Sequence, residues 1–161
     1  MTIRRQATLY LPMPSSNFVE SIRARFNRVQ FDLIKAHVTL CREDEVADWS
    51  EVGSRLTNLG KIDVALDFGM PVREDNLVYL PTIGSTQSFD NLRSAILSTD
   101  ASSPRKQNPH ITLIHPRNGT CSDSAFAEIT NLCKPFSAVL RRVTLIEQHN
   151  GGSWKDLSAF G

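Results

Sequence analysis

Hydrophobic positions recur with two different periods along this chain of 161 residues, and each period predicts a type of element. Apolar residues three or four positions apart are typical of an amphipathic helix, whereas short apolar runs bounded by Gly, Pro or Asn are typical of strands. Residues 15–29 show the helical period behind two serines that can cap a helix, with four apolar residues on one face: Phe18, Ile22, Phe26 and Val29.

The same criteria divide the rest of the chain into helices, strands and turns. The predicted helices run from Ser15 or Ser16 to about Val29, from Asp48 or Ser50 to about Gly60, and over about 88–97 and 122–132. The predicted strands cover about 7–11, 37–40, 62–68, 76–80, 110–114, 137–140, 143–148 and 154–160. The sequence Asn150-Gly151-Gly152 is a hairpin signal between the last two strands. Residues 71–75 are predicted to form a turn and residues 98–108 a polar loop.

The order of the predicted elements occurs twice: strand, helix, strand, helix, then further strands. This order predicts a bilobal, duplicated α+β fold, in which two mainly antiparallel sheets face a central cleft and the helices lie outside. No shift in composition marks a boundary between domains. Residues 1–161 are therefore expected to form a single domain.

A repeated tetrad carries the most information about function. His37-Val38-Thr39-Leu40 returns 73 residues later as His110-Ile111-Thr112-Leu113. The same offset aligns several residues outside the tetrads, namely Thr57-Asn58-Leu59 with Thr130-Asn131-Leu132, Lys61 with Lys134, and Ala65 with Ala138. Farther upstream, Leu9–Pro12 resembles Val78–Pro81, so Tyr10 and Tyr79 are expected at equivalent positions in the two halves. Self-similarity of this extent indicates duplication.

The chemistry of the tetrads suits phosphoryl transfer. In a strand, the His and Thr of each tetrad share one face, about 6.5 Å apart. Two such faces brought together would supply two imidazoles and two hydroxyls. One imidazole can accept a proton and the other donate one near neutral pH, because the unperturbed pKa of His is about 6.5. Either His37 or His110 can be the base, and no metal or cofactor is expected.

Composition narrows the choice of partner and setting. Eighteen Lys and Arg against seventeen Asp and Glu give a formal net charge of +1, too low for a protein that binds long duplex nucleic acid. The odd number of cysteines (Cys41, Cys121 and Cys133) without a C-x-x-C pair favours a reducing, cytoplasmic setting. Neither a signal peptide nor an apolar run of membrane-spanning length is found, so no membrane partner is expected.

The two tetrads in a small α+β chain resemble those of the two-histidine (2H) phosphoesterase superfamily, which includes the bacterial RNA 2',3'-cyclic phosphodiesterases historically called 2'-5' RNA ligases. The resemblance covers nearly the whole chain. It implies a bilobal fold with one H-x-T strand from each lobe in a central cleft. It further implies that His37 and His110 are the catalytic acid and base, and that Thr39 and Thr112 bind the substrate phosphate.

Four further residues are candidates for contact with the substrate. Arg42 and Arg117 lie at or just beyond the ends of the motif strands, where a guanidinium can reach a phosphate, although solvated rim charges are the simpler interpretation. Tyr10 and Tyr79 could stack on a nucleobase or pack at the edge of the core. By contrast, His115 stands at odd spacing from His110 and is expected to face away from the site.

We expect a phosphodiesterase that hydrolyses a 2',3'-cyclic phosphate at an RNA end, or a small cyclic or 2'-5'-linked nucleotide. The expected partner is a small nucleotide or an RNA terminus, and the expected state is a monomer. Two alternatives stay open: RNA ligation at the same site, and a non-catalytic module of this fold that binds nucleotides. A zinc site is disfavoured, because the histidines have no ligands at the usual spacings.

Overall fold

The computed structural model describes residues 1–97 and 106–161, so most of the predicted polar loop, residues 98–105, lies outside the described residues. The strands are β1 (Ile3–Tyr10), β2 (His37–Arg42), β3 (Val64–Phe68), β4 (Val72–Glu74), β5 (Leu77–Ile83), β6 (His110–Ile114), β7 (Phe136–Leu140), β8 (Val143–His149) and β9 (Lys155–Phe160). The helices are α1 (Ser15–Phe26), α2 (Arg28–Leu33), α3 (Trp49–Leu59), α4 (Gln87–Ile96) and α5 (Asp123–Leu132).

The strands form two antiparallel sheets. The first has the order β2-β1-β8-β9. The second has the order β4-β5-β3-β7, with β6 paired to β5 as well. Each H-x-T strand therefore pairs with the strand that opens its own half of the chain, β2 with β1 and β6 with β5. The predicted α+β architecture is confirmed.

Local signals in the sequence explain where several elements begin and end. The Asp48 side chain accepts a hydrogen bond from the Ser50 backbone N–H (2.9 Å) and caps α3, which ends before Gly60 at φ 68°. Ser122 caps α5 in the same way through the backbone N–H of Ala125 (3.1 Å). In the predicted hairpin turn, Asn150 and Gly151 both have positive φ, as a tight antiparallel hairpin requires.

Two predicted elements differ from the structure. The helix expected over residues 15–29 breaks at Asn27, which is buried with φ −148°, so that Val29 lies in α2 and is 54% exposed. The turn expected over 71–75 contains strand β4. Its central residue, Arg73, has hydrogen-bond and ion-pair partners. The Arg73 guanidinium donates to the carbonyl oxygens of Asp75 (2.8 Å) and Cys121 (2.5 Å) and pairs with a carboxylate of α5.

The hydrophobic core lies between the sheets and the helices that cover them. It contains residues of both halves, including Leu9, Leu40, Phe68, Leu80 and Leu113. Helix α1, from the first half, packs against β6, and helix α4, from the second half, packs against β2 and β3. Each H-x-T strand is therefore supported by a helix from the opposite half of the chain.

Two further features of the structure concern the cysteines and the length of the helices. All three cysteines are buried and none forms a disulfide. Among the described residues, no helix is both long and apolar enough to cross a bilayer.

Candidate active site

The two H-x-T strands lie in contact and expose the same pair of side chains to one cleft. Along β2 and β6 the residues between and after His and Thr are fully buried, while His37, Thr39, His110 and Thr112 are half-buried. These four side chains line a common cleft of about 230 Å³. The structure therefore brings together all four residues that the repeat singles out.

Both motif histidines are anchored in the same way by the backbone two residues earlier. Nδ1 of His37 lies 2.7 Å from the Lys35 carbonyl oxygen, and Nδ1 of His110 lies 2.8 Å from the Asn108 carbonyl oxygen. A carbonyl oxygen only accepts, so Nδ1 must carry the hydrogen in each ring. The Nε2 atom of a neutral ring is then free to accept a proton, and that of a charged ring is free to donate one.

The surroundings of His37 favour its neutral form. Burial lowers the pKa of His37 to about 4, against the hydrogen bond from Nδ1 to Lys35, which opposes the shift. The positive charges of Arg23, His110 and Arg42 add to the lowering. The ring is therefore uncharged at neutral pH and able to act as a proton acceptor.

A β-bulge follows the Thr of each motif. In the first sheet Ala7 pairs with Cys41 but Thr8 pairs with Thr39, which leaves Leu40 as the extra residue. In the second sheet Leu113 is the extra residue in the same way, 73 positions later. A bulge shifts the alternation of faces by one residue. The residue three positions after each Thr therefore returns to the face of the motif.

This shift brings Arg42 and His115 into the cleft, again 73 residues apart. The prediction that His115 faces away from the site is wrong, because it assumed regular alternation through Ile114. A signal was present in the sequence. The pairs Leu40-Cys41 and Leu113-Ile114 each place two apolar residues in succession on a strand that otherwise alternates.

Each bulge is held by a buried polar side chain from the opposite half of the chain. The Leu40 carbonyl oxygen accepts from Nη1 of Arg93 on α4 (2.6 Å), and the same guanidinium forms an ion pair with Glu45 (2.7 Å). Behind the second bulge, the His115 backbone N–H donates to Oδ1 of Asn27 (2.9 Å). Both Arg93 and Asn27 are less than 5% exposed. The Leu40 carbonyl and the His115 N–H, which lie at or near the two bulges, thus have partners within the protein.

The remaining predicted contacts lie in three places. Arg117 lines the cleft of the histidines. Tyr79 lines an adjoining pocket of about 630 Å³, which shares Arg42 and His110 with the cleft. Its ring stands edge-on to that of His110, with the centroids 5.4 Å apart. Tyr10 lies in neither, but in a third pocket of about 510 Å³ that shares Ile34 and Trp154 with the cleft.

The expectation that Tyr10 and Tyr79 are equivalent is wrong. Tyr10 pairs with His37, whereas Tyr79 pairs with Thr112, so the two tyrosines differ by two residues in register. The Tyr10 hydroxyl donates to Asp156 (2.6 Å), and burial together with this hydrogen bond raises the pKa of Tyr10. Its polar end is therefore occupied within the protein.

Several residues that line the cleft carry no signal in the sequence, because they come from distant segments. They are Arg4, Gln6, Gln30 and Trp154. The Arg4 guanidinium lies over the Trp154 ring, 5.4 Å from its centroid. Among the described residues that line the cleft there are three arginines and three histidines but neither Asp nor Glu. The site therefore favours an anion, although the net charge of the chain is close to zero.

Within residues 1–97 and 106–161, no three His, Cys, Asp or Glu side chains are grouped so that they could hold a metal ion.

Comparison with known proteins identifies similar sequences and folds. The sequence profile of the 2'-5' RNA ligase superfamily matches residues 11–152. The apo structure of E. coli LigT is similar with a TM-score of 0.66 and 15% identity, covering 98% of this chain and 95% of that one. TT0787 of Thermus thermophilus has a TM-score of 0.54 and 14% identity, covering 98% and 96%. At such identities the structures show a shared fold. No curated protein sequence gives a match.

Proposed function

The chain belongs to the 2'-5' RNA ligase superfamily of two-histidine phosphoesterases, and from this premise we propose that it is a metal-independent phosphodiesterase. Its substrate is the 2',3'-cyclic phosphate of an RNA end, or a small cyclic or 2'-5'-linked nucleotide. The observation that carries the proposal is the pair of histidines in one cleft, each anchored through Nδ1 with Nε2 free. Two such rings can act as base and acid in one reaction.

In this mechanism a water molecule attacks the phosphorus of the cyclic diester in line with the ribose oxygen that leaves. His37 takes the proton of the water, since its ring is neutral at neutral pH. The bond from phosphorus to the 2' or 3' oxygen breaks, and the leaving oxygen receives a proton from His110, the other ring of the pair. The product is a phosphate monoester with a free hydroxyl. One proton is taken and one is given, so the reaction is balanced.

Thr39 and Thr112 have the complementary task of holding the phosphate. Each hydroxyl is on the same face of its strand as the histidine and lines the same cleft. A hydroxyl that donates to a non-bridging oxygen stabilises the negative charge that the phosphate carries through the transition state. E. coli LigT, which shares the fold, has been solved with 3'-AMP and with phosphate, and these ligands are consistent with such a site.

Substitution of each histidine tests the proposal. His37→Ala and His110→Ala are each expected to lower kcat on 2',3'-cyclic nucleotides, cyclic-ended oligoribonucleotides or 2'-5'-linked oligomers by about 10²–10⁴-fold, the usual contribution of a positioned acid or base. The matched control is His149→Ala, since His149 is an exposed histidine paired with Glu147 outside the cleft. Turnover is measured by product-resolved chromatography, with and without EDTA.

The same assay gives the outcomes that oppose the proposal. Near-wild-type turnover in either histidine variant would refute the two-histidine mechanism. Loss of activity in EDTA with recovery on addition of zinc would require a metal. Joined oligonucleotides instead of cleaved ones would indicate ligation, and binding without any product would indicate a module that only recognises nucleotides.

We propose that the protein works as a monomer in the cytoplasm, without binding long duplex nucleic acid or membranes. The three buried, unpaired cysteines fit a reducing compartment. Light scattering at micromolar concentration measures the mass directly, and a value near twice 18.0 kDa would contradict the monomer.

A further inference from the structure

One end of the cleft holds positive charge that the proposed two-histidine mechanism does not use. The charges of Arg117, Arg4 and Arg42 all act on His115, in addition to burial, and lower the pKa of His115. Of these three arginines, only Arg42 also acts on His37. Arg4 and Arg117 therefore lie close enough to His115 to act on its charge, and Arg42 lies close enough to act on both His115 and His37.

His115 is bonded in the opposite sense to the motif histidines. Its Nδ1 accepts a hydrogen bond from the backbone N–H of Arg117 (3.1 Å), so the hydrogen of the neutral ring is on Nε2. The motif rings have their hydrogen on Nδ1. In this state His115 offers a hydrogen-bond donor and no free acceptor nitrogen. Such a ring is suited to hold an anion and unsuited to take a proton from water.

The position of His115, directly after β6, separates this end from the site of the scissile phosphate. Within β6, His110 comes first and Thr112 second, and His115 directly follows the end of the strand, beyond the bulge. The three share a face, so a group bound at His115 lies next to a phosphate held by Thr112 and farther from His110.

Among the described residues that line the cleft, no carboxylate offsets these arginines. Arg4 forms an ion pair with Glu43 at 3.1 Å, and that carboxylate lies outside the lining of the cleft. Arg117 is exposed and donates its backbone N–H to His115. An anion that enters this end would meet two guanidinium groups and a neutral N–H donor. Guanidinium groups bind phosphate through paired hydrogen bonds.

We propose that Arg4, His115 and Arg117 form a second phosphate subsite, next to the one that holds the scissile phosphate. The preferred substrate is then a nucleoside 2',3'-cyclic phosphate that carries another phosphate on its 5' side, as the 3' end of an RNA strand does. A cyclic mononucleotide without this group is a poorer substrate. The inference rests on the proposed function for the identity of the scissile group.

A pair of substrates that differ in one group tests the subsite. We expect kcat/KM for 5'-phosphoadenosine 2',3'-cyclic phosphate to exceed that for adenosine 2',3'-cyclic phosphate by about tenfold or more, as expected of hydrogen bonds to a charged group. Arg4→Gln and Arg117→Gln should each reduce this ratio toward one. The matched control is Arg5→Gln, because Arg5 is the next residue of β1, pairs with Glu147 and does not line the cleft. The control should keep the wild-type ratio.

Calorimetric binding separates failure of the subsite from failure of the proposed function, because binding needs no turnover. Adenosine 3',5'-bisphosphate should bind about tenfold more tightly than 3'-AMP, with a difference that shrinks as salt is added, since exposed charges are screened. Equal affinities, or a preference that survives both Arg4→Gln and Arg117→Gln, would overturn the subsite. If both cyclic substrates are inert but the bisphosphate still binds more tightly, the subsite stands and the proposed hydrolysis is wrong.

Discussion

His37 and His110 hold equivalent places in the repeat, and the folded chain gives His37 surroundings that favour its neutral form. Both rings have Nδ1 bonded to the carbonyl two residues earlier. The roles of acid and base must therefore depend on the surroundings of each ring, and burial lowers the pKa of His37. In our interpretation the lowered pKa selects His37 as the base, a choice that the sequence left open.

The pH profile tests this assignment. His37 is active as a base only when it is unprotonated, so this requirement makes activity rise with pH through the pKa of His37 in the folded protein and is fully met above that pKa. With that pKa at about 4, the acidic limb of kcat/KM should fall well below the ordinary histidine range near pH 6.5. Bound phosphate opposes this shift, so the acidic limb of kcat should lie at higher pH than that of kcat/KM.

Initial rates after a brief pH jump give the acidic limb of kcat and that of kcat/KM. Circular dichroism is the control for folding. His149→Ala is the matched variant and should leave both limbs in place. An acidic limb of kcat/KM at pH 6.5 or above would contradict the assignment of His37 as the neutral base.

At the scale of elements, the repeated bulge organises the site. A regular strand would turn Arg42 and His115 away from the cleft, and the bulges after Thr39 and Thr112 reverse this. The extra residue also frees a carbonyl from the sheet in β2, and buried Arg93 binds it. Because Arg93 belongs to α4, the second half of the chain stabilises the active strand of the first.

Substitution of Arg93 should therefore damage both stability and catalysis. Arg93→Met keeps an apolar stem but leaves the Leu40 carbonyl and the Glu45 carboxylate without the guanidinium. We expect the free energy of unfolding to fall by about 3–5 kcal/mol, the usual cost of removing one partner of a buried ion pair. Activity measured at a temperature where the variant is folded should fall as well, because β2 loses its support beside Thr39.

Arg55→Met is the matched control. Like Arg93, Arg55 donates to a backbone carbonyl, that of Ile96 in α4 at 2.9 Å. Its hydrogen bonds and ion pair involve neither motif strand. Its loss should lower stability with little change in kcat of the folded fraction. Equal kcat for Arg93→Met and the wild type, both fully folded, would show that the bulge tolerates the loss of its anchor.

At the scale of the whole molecule, the net charge is small, while positive side chains are concentrated in the cleft. The net charge is +1, but the described lining of the cleft has arginine and histidine without carboxylates. The positive charge of such a cleft attracts a phosphate locally. This distribution agrees with a substrate of one or two phosphates rather than a long nucleic acid.

The dependence of binding on salt measures how many phosphates are held. For a cyclic-ended oligoribonucleotide, the logarithm of affinity against the logarithm of salt concentration should have a slope of about −0.7 to −1.4, as expected for one or two phosphates of a single strand. Lengthening the oligonucleotide from three to ten residues should leave the slope unchanged. A slope that steepens with length would reveal a longer nucleic-acid track.

The local signals in the sequence were sufficient for most elements and for the motif residues. His37 and Thr39 share a face because strands alternate, and this alternation depends only on neighbours along the chain. The caps at Asp48 and Ser122 are local in the same sense. The predictions failed where a residue that is distant in the sequence forms a contact. The predicted first helix breaks at Asn27, whose side chain is engaged with His115 from the other half.

The sequence by itself determined the duplicated α+β plan and the four motif residues, since both follow from periodicity and repetition along the chain. Only the tertiary structure decided that Arg4 and Trp154 join the cleft, and that the bulges turn Arg42 and His115 into it. It also decided that the surroundings of His37 favour its neutral form. The pKa of His37 depends on burial and on charges from other elements, and these arise only when distant parts of the chain pack together.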